Sequence, residues 1–251
     1  MNTLIKNPKS PQRAGAPSTN GAGKTEHFDV IIVGAGISGI GGAYHLSKQC
    51  PGTSFTILET QESFGGTWLT HRYPGIRSDS DLYTFGYRFK PWIGAPIATA
   101  AEIRTYLNDV IEENDLGRHI RYRHKINSAR WSSSDNLWTI EAVQTDTGKT
   151  VCFTANFLWM CQGYYRHSQG YTPDWPGMDE FKGRIVHPQT WPEDLDYKDK
   201  NVIVIGSSWP LTESSRPTAL WSRAWRRGNV RSHPWPAKRT CLSSPTWTRA
   251  T

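Results

Sequence analysis

Three glycines and one acidic residue have the spacing of a binding site for phosphates and a ribose. Gly34, Gly36 and Gly39 form the pattern G-x-G-x-x-G. In this pattern the first glycine permits a tight turn, the second lets backbone approach a pyrophosphate, and the third lets a helix pack closely on a strand. Glu59 lies about 20 residues beyond the last glycine, where a carboxylate can accept hydrogen bonds from ribose hydroxyls. The glycine spacing alone also fits an ordinary glycine turn.

The segments around these residues favour the binding site over the ordinary turn. An apolar, β-branched run from Val30 to Val33 predicts a strand directly before Gly34. A helical pattern follows the glycines, and the run 54–58 predicts a second strand that ends at Glu59. A helix that starts at a glycine turn presents free N–H groups and its positive dipole end to phosphates. The sequence therefore predicts a dinucleotide-binding Rossmann unit.

A string of glycines and aromatic residues follows this unit. Residues 65–79 fit the pattern [A/G]-G-x-W-x4-[F/Y]-P-[G/M]-x3-D at every fixed position, from Gly65 through Trp68 and Tyr73 to Asp79. A polar surface loop is the simplest alternative. However, loops that carry aromatic side chains usually pack on another part of the protein, which favours a structured, functional segment.

A second string, residues 181–192, contains the pattern F-x-G-x3-H-x3-W-P. Its histidine, His187, would by itself fit a structural histidine in a linker. The full pattern, which begins at Phe181 and ends at Pro192, points instead to a functional segment.

Together the two strings resemble the fingerprints of Baeyer–Villiger flavin monooxygenases. Within that family, the runs 71–92 and 187–197 are most similar to the ethionamide-activating type of monooxygenase. The resemblance implies an enzyme that uses FAD, NADPH and O2 to insert oxygen into a ketone or to add it to sulfur. In such enzymes the flavin supplies the chemistry, while the protein supplies position and charge and excludes water.

The resemblance also assigns roles to residues of this chain. Residues of the glycine turn would hold the FAD pyrophosphate: Gly34, Gly36, Ser38 and Gly39. Glu59 would hold the ribose, and backbone near Ile126 would meet the adenine. Residues near the isoalloxazine ring would be Thr67, Trp68, Leu69, Thr70 and Asp79. Residues facing the nicotinamide nucleotide would be Arg77, Ser78 and Asp79. Asp79 is the candidate catalytic residue, as a charge that positions a catalytic arginine.

The middle of the chain predicts a helix and an antiparallel meander. Thr99 and Glu102 form a capping box that opens an amphipathic helix. Three alternating runs follow, at 119–131, 137–143 and 150–155. The apolar stretch 157–161 predicts a buried strand that returns to the parallel sheet. The predicted fold class is therefore α/β: a Rossmann-like FAD-binding domain with a parallel sheet, a helix crossover and a β-meander.

A second, NADPH-binding Rossmann domain begins at Val202 but departs from its expected pattern. Gly206 is followed by Ser207, Ser208, Trp209 and Pro210, so the glycine that would let a pyrophosphate approach is missing. Of residues 207–251, 31 are Arg, Ser, Thr, Pro or Trp, a composition that does not suit a Rossmann unit. We interpret this as a truncation or a shift of reading frame near Gly206. The alternative to an active monooxygenase is a non-catalytic FAD-binding fragment or pseudoenzyme.

Composition narrows the other function classes. The net charge is +7, but residues 207–251 hold eight basic residues and one acidic residue, so this tail carries the whole excess. Residues 1–206 are balanced in charge, which argues against a nucleic-acid-binding protein. The four cysteines lack metal-ligand spacing, and no apolar run is long enough for a membrane span. We therefore expect no metal and a cytoplasmic location. The predicted domains are a disordered arm at 1–26, the FAD-binding domain at 27–165, a linker at 166–200 and the incomplete NADPH-binding domain at 201–251.

Overall fold

The computed structural model describes residues 25–174 and 176–204. The chain divides into two compact units, residues 1–193 and residues 194–251. The boundary lies inside the segment predicted as a linker. All regular elements of the described residues belong to the first unit.

The predicted strand, glycine turn and helix open the first unit. Strand β1 spans Glu26–Val33, helix α1 spans Ile37–Gln49, and strand β2 spans Phe55–Leu58. β1 and β2 are parallel, with Val33 paired to Leu58. Both strands therefore end at the same edge of the sheet, where Gly34 and Glu59 follow them.

Three helices cover the next part of the chain. Helix α2 spans Thr67–Thr70, α3 spans Leu82–Phe85 and α4 spans Ala100–Glu113. The capping box at the start of α4 is confirmed, since Thr99 and Glu102 each cap the backbone of the other. The buried face of α4 belongs to the main core together with residues of β1, α1 and β2. That core fixes α4 beside the glycine turn.

The remaining strands differ from the prediction in two ways. Strand β3 spans Ile120–Arg121, β4 His124–Ser132, β5 Leu137–Gln144 and β6 Thr150–Met160. The predicted single run 119–131 is thus divided by a turn at residues 122–123, where Arg123 adopts a left-handed φ of 61°. The two predicted runs 150–155 and 157–161 are instead one strand. Short 3₁₀ segments span Gly117–His119 and Pro188–Thr190.

The six strands form one mixed sheet in the order β3-β2-β1-β6-β5-β4. β3, β2, β1 and β6 are parallel neighbours, whereas β4, β5 and β6 form the antiparallel meander. β6 joins the two halves, since Phe153 pairs with both Glu26 of β1 and Ile140 of β5. The predicted parallel sheet with a meander is confirmed.

The prediction that the stretch 157–161 is buried was wrong for part of its length. Phe157 is 57% exposed and Met160 is 54% exposed. In this stretch β6 is paired with β1 alone, because its ladder with β5 covers residues 150–155. The Trp159 indole lies against Gly42 of α1.

The described part of the second unit, residues 194–204, contains turns but no helix or strand. Lys200 donates its backbone N–H to the Tyr197 carbonyl at 3.2 Å. The predicted arm lies outside the described residues up to residue 24, and so do Gly206 and the tail 207–251.

Candidate functional site

The glycine turn between β1 and α1 requires two of its glycines for steric reasons. Gly34 has a φ of +99°, and a Cβ atom there would lie 2.8 Å from the Cys161 carbonyl oxygen. A Cβ atom at Gly39 would lie 1.9 Å from the Gly34 carbonyl oxygen. The first glycine thus permits the turn, and the third permits the helix to pack on it.

The start of α1 leaves its backbone N–H groups free for a ligand. Gly36 is the N-cap residue, and no side chain caps the helix. Ser38 lies in the first turn of α1 and is exposed. The first N–H groups of any helix lack partners inside the helix and carry the positive end of its dipole. This end of α1 is therefore built to accept an anion.

Glu59 links the end of β2 to this turn. Its side chain is buried, with 7% exposure. One carboxylate oxygen, Oε2, accepts the Ala35 N–H at 2.6 Å, and the other, Oε1, accepts the Gln61 N–H at 2.9 Å. The two oxygens are thus already bonded, although an ionised carboxylate can accept about four hydrogen bonds in total. Lone pairs remain for the hydroxyls of a ribose.

A second glycine turn packs directly against the first. The Gly65 N–H donates to the Ala35 carbonyl at 3.0 Å. A Cβ atom at Gly66 would lie 3.3 Å from the Gly36 Cα atom. Helix α2 starts here with Gly66 as its N-cap residue, and again no side chain caps the helix. Two uncapped helix starts therefore meet at one place.

The predicted flavin-facing residues Thr67, Trp68, Leu69 and Thr70 constitute α2. Leu69 is buried, while the indole of Trp68 packs edge-to-face on Phe85 at 6.3 Å between ring centroids. The Thr70 hydroxyl donates to the Gly66 carbonyl at 3.0 Å. The string 65–79 is therefore a packed segment next to the glycine turn.

The three residues predicted to face the nicotinamide nucleotide form the end of that string. Ser78 is buried, and its backbone N–H donates to the Ala98 carbonyl at 2.8 Å. Arg77 forms an isolated β-bridge with Thr99, and both Arg77 and Asp79 are exposed. Burial raises the pKa of the Tyr73 hydroxyl, and the charge of Asp79 raises it further. The start of α4 thus holds this segment in place.

Ile126 lies in β4 close to Glu59. The His124 N–H donates to the Glu59 carbonyl at 2.8 Å, and Ile126 follows two residues later along the strand. The ladder between β4 and β5 is irregular between Ile126 and Ser128. The predicted adenine residue Ile126 therefore lies two residues from a direct backbone contact between β4 and Glu59.

The second string packs around its histidine. The Nδ1 atom of His187 accepts the Gln189 N–H at 3.1 Å, which caps the short 3₁₀ segment. The ring of His187 lies so close to Gly170 that a Cβ atom there would be 2.1 Å from its Cε1 atom. Arg72, from the first string, pairs with Glu193 at 3.2 Å across exposed surface. The two strings are therefore adjacent within the first unit.

One residue of this region was missed from the sequence. Arg104 of α4 lies against Gly65, and its guanidinium carbon is 5.8 Å from the centre of the Phe64 ring. Its Nε atom is buried and has no hydrogen-bond partner within the described residues. No acidic residue lies three or four positions away on either side of it in the helix. That lack of a local ion-pair partner was the available signal.

These observations fit a dinucleotide with a flavin ring. Two uncapped helix starts suit a pyrophosphate, and the Glu59 carboxylate suits a ribose. Among the residues that the structure describes, no group of three or more His, Cys, Asp or Glu side chains could hold a metal ion. In the same ranges, no helix is long and apolar enough to cross a membrane.

Two family models match successive segments of the chain. Residues 32–92 match the NAD(P)-binding Rossmann-like domain. Residues 97–214 match the flavin-binding monooxygenase-like family. The first match contains the glycine turn, and the second contains the meander and the second string.

The similar proteins are flavin monooxygenases. The FAD-containing monooxygenase EthA of Mycolicibacterium smegmatis is 54% identical over 184 residues, which are 73% of this chain and 37% of that protein. The probable FAD-binding monooxygenase AlmA of an Acinetobacter species is 53% identical over 183 residues, with 72% and 37% covered. This chain thus spans a little over a third of the length of these relatives.

Solved structures show the same fold. An oxidized steroid monooxygenase bound to NADP is 33% identical with a TM-score of 0.54, over 67% of this chain and 32% of that one. A closed cyclohexanone monooxygenase is 29% identical with a TM-score of 0.56, over 69% of this chain and 32% of that one.

Proposed function

We propose that this chain belongs to the flavin-containing monooxygenases and that its first unit binds FAD as part of an FAD- and NADPH-dependent monooxygenase. The reaction would insert one oxygen atom from O2 into a ketone or add it to sulfur. The substrate is a small molecule, and the protein works in the cytoplasm. This chain covers 37% of the length of its EthA relative. The likeness therefore bears on the flavin site more directly than on the whole reaction.

The observation that supports this proposal best is the contact between the two glycine turns. A Cβ atom on Gly66 would lie 3.3 Å from the Gly36 Cα atom, and each of these glycines begins a helix without a side-chain cap. Such close backbone contact has a use when one elongated anion must receive N–H groups from both turns. A pyrophosphate with a nucleoside on each side has that shape and charge.

Each part of the site then has a separate task. The backbone of Gly36 and Ser38 would bind the pyrophosphate, while Glu59 would orient the adenosine ribose. α2 would lie along the isoalloxazine ring, and its Leu69 and Trp68 would exclude water from one side. Bound FAD would supply the oxidation chemistry.

Arg77, Ser78 and Asp79 would provide contacts for the nicotinamide nucleotide on the first unit. Arg77 and Asp79 are exposed, so both can meet a ligand. Asp79 would hold a catalytic arginine in place through its charge. The segment around Gly206, where the second nucleotide-binding pattern would begin, lies outside the described residues, so this part of the proposal rests on the sequence.

The flavin site can be tested by titrating FAD into the purified 251-residue chain and following flavin fluorescence. We expect saturable binding. Glu59→Ala should weaken it by about 1.5 to 3 kcal/mol, because charge-assisted hydrogen bonds are lost. Glu62→Ala is the control, since Glu62 is exposed. A parent chain that does not bind FAD would refute the proposal, and equal affinity for Glu59→Ala would refute the assignment of the ribose.

Hydride transfer is tested separately by mixing the FAD-loaded chain with NADPH under anaerobic conditions. Because Ser208, Trp209 and Pro210 replace the expected glycine pattern, we expect bound FAD to remain oxidised. In a chain whose sequence from Gly206 onward is restored to G-x-G-x-x-[G/A], NADPH should reduce the bound FAD. Fast reduction of the parent would show that its own sequence after Gly206 serves as a nicotinamide site. Failure of the restored chain would contradict the proposed reaction.

A further inference from the structure

A loop at the surface of the first unit is almost entirely apolar. Residues 91–98, the apolar loop, read PWIGAPIA and carry no charged side chain and only one polar side-chain group, an indole N–H. Ile93 is 94% exposed and Ile97 is 40% exposed. The exposed ring of Tyr83 lies against the same loop, since its hydroxyl donates to the Gly94 carbonyl at 2.6 Å. A contiguous exposed apolar surface of this kind marks an interaction site.

The rest of the first unit holds the apolar loop in a fixed shape. The Trp92 indole packs edge-to-face on Tyr106 of α4, with 5.6 Å between ring centroids. Its Nε1–H donates to the Ala95 carbonyl at 2.8 Å. The Leu82 N–H donates to the Pro96 carbonyl at 2.7 Å. The isoleucines are therefore presented to the surroundings by an anchored loop.

The hydrogen bonding of the loop suits an apolar medium. The carbonyls of Gly94, Ala95 and Pro96 each accept a hydrogen bond from a donor of the first unit. Pro91 and Pro96 have no N–H group. Backbone groups that are already bonded, or that are absent, add no cost when water is removed. Because the loop has no free side-chain donor or acceptor, it offers apolar area without directional recognition, which is what lipid acyl chains accept.

A positive charge flanks the apolar loop on its N-terminal side. Arg88 is exposed, and it forms no ion pair within the ranges that the structure describes. Lys90, directly before the loop, pairs instead with Glu113. The exposed guanidinium of Arg88 complements the phosphates of lipid headgroups.

We propose that the apolar loop is a lipid-binding element that inserts Ile93 and Ile97 into the interfacial region of a bilayer, with Arg88 at the headgroup phosphates. The protein then lies on the membrane surface without crossing it. For a protein that works in the cytoplasm, this surface is the inner face of the cell membrane, which carries anionic lipids. The contact is separate from the flavin site, so either can fail without the other.

Flotation of the full chain with vesicles of phosphatidylcholine and phosphatidylglycerol measures this contact. The parent should float with the vesicles. Ile93→Ser should weaken the partition by about 10- to 100-fold, because the burial of one isoleucine side chain is lost. Ile93→Leu keeps an apolar side chain and should keep the partition. Ile185→Ser is the matched control, since Ile185 is 53% exposed outside the loop. Urea unfolding shows that each variant is folded.

The basic tail requires a separate control. Residues 207–251 hold eight basic residues, and anionic vesicles attract such a segment. High salt screens this attraction and leaves apolar insertion in place. The difference between Ile93→Ser and Ile185→Ser should therefore persist in high salt. Arg88→Gln should weaken the partition by about fivefold at low salt only, and Arg130→Gln is its control, since Arg130 is exposed on β4.

Three results would overturn the proposal. The first is a parent that does not float, or that floats only at low salt. The second is equal partition of Ile93→Ser and Ile185→Ser, which would assign the binding to the tail or to another surface. The third is a parent dimer, found by size-exclusion chromatography without vesicles, that Ile93→Ser converts to a monomer, because the loop would then join two copies of the chain. FAD titration of the same variants tests the proposed function independently of all three.

Discussion

The Glu59 carboxylate accepts the Ala35 N–H at 2.6 Å, which ties the end of β2 to the glycine turn after β1. The bond is buried and short, and its acceptor is a carboxylate oxygen, which places it among the stronger hydrogen bonds. It also explains why an acid at the end of the second strand stabilises the turn even before a ribose is bound. Glu59 therefore has a structural role as well as its proposed role in binding.

We predict that Glu59→Gln destabilises the protein without ligand by about 1.5 to 3 kcal/mol. Glutamine places an NH2 group toward one of the two N–H donors, Ala35 or Gln61, so one hydrogen bond is lost. Urea unfolding at neutral pH measures the change. Glu62→Gln is the matched control and should stay within about 0.5 kcal/mol, because its ion pair with Arg72 is exposed. Equal destabilisation by the two variants would contradict the role of Glu59.

The second prediction concerns the third glycine of the turn. Gly39→Ala should destabilise the protein by about 3 kcal/mol or more, since its Cβ atom would lie 1.9 Å from the Gly34 carbonyl oxygen. Gly117→Ala is the control, because the nearest atom there, Ile111 Cγ2, would be at an ordinary contact distance of 3.7 Å. Thermal and urea unfolding compare the two. Similar stability of both variants would show that α1 can move away from the turn at little cost.

The sequence predicted those parts of the fold and the site that depend on local patterns. The glycine turn, the capping box at Thr99 and the meander each follow from residue types at short spacing. Arg104 was missed because its surroundings come from a different segment, the one that contains Phe64 and Gly65. The division of β3 from β4 was missed because a left-handed arginine at position 123 leaves no mark in the hydrophobic pattern.

The third prediction tests the capping box at the start of α4, which lies beside residues 77–79. Thr99→Ala should destabilise the protein by about 1 kcal/mol, because the hydroxyl that accepts the Glu102 N–H is lost. Thr99→Ser keeps that hydroxyl and is the control. Thr99 also bridges to Arg77, so hydrogen exchange of the Ser78 amide should become faster in Thr99→Ala alone. An unchanged exchange rate would show that the segment 77–79 is held independently of the start of α4.

The last prediction concerns the pH dependence that arises at His71, which follows α2. Burial lowers the pKa of His71 below its ordinary value of 6.5, and the neighbouring His167 and His187 lower it further. The folded state therefore binds the proton less tightly than the unfolded state does. The stability that comes from neutral His71 is complete above about pH 6.5 and is lost as the pH falls through the lower pKa of the folded state.

His71→Asn should flatten this acid loss of stability, because asparagine does not titrate and its amide can still donate to the Thr67 carbonyl, as the ring Nδ1–H does. Urea unfolding from about pH 5 to about pH 8, together with NMR titration of the histidines, measures the effect. Salt provides the control. A pKa shift caused mainly by burial persists at high ionic strength, whereas one caused by the charges of His167 and His187 is screened. A His71 pKa at or above 6.5 in the parent would contradict the prediction, and a shift that disappears in salt would assign it to the neighbouring histidines instead of burial.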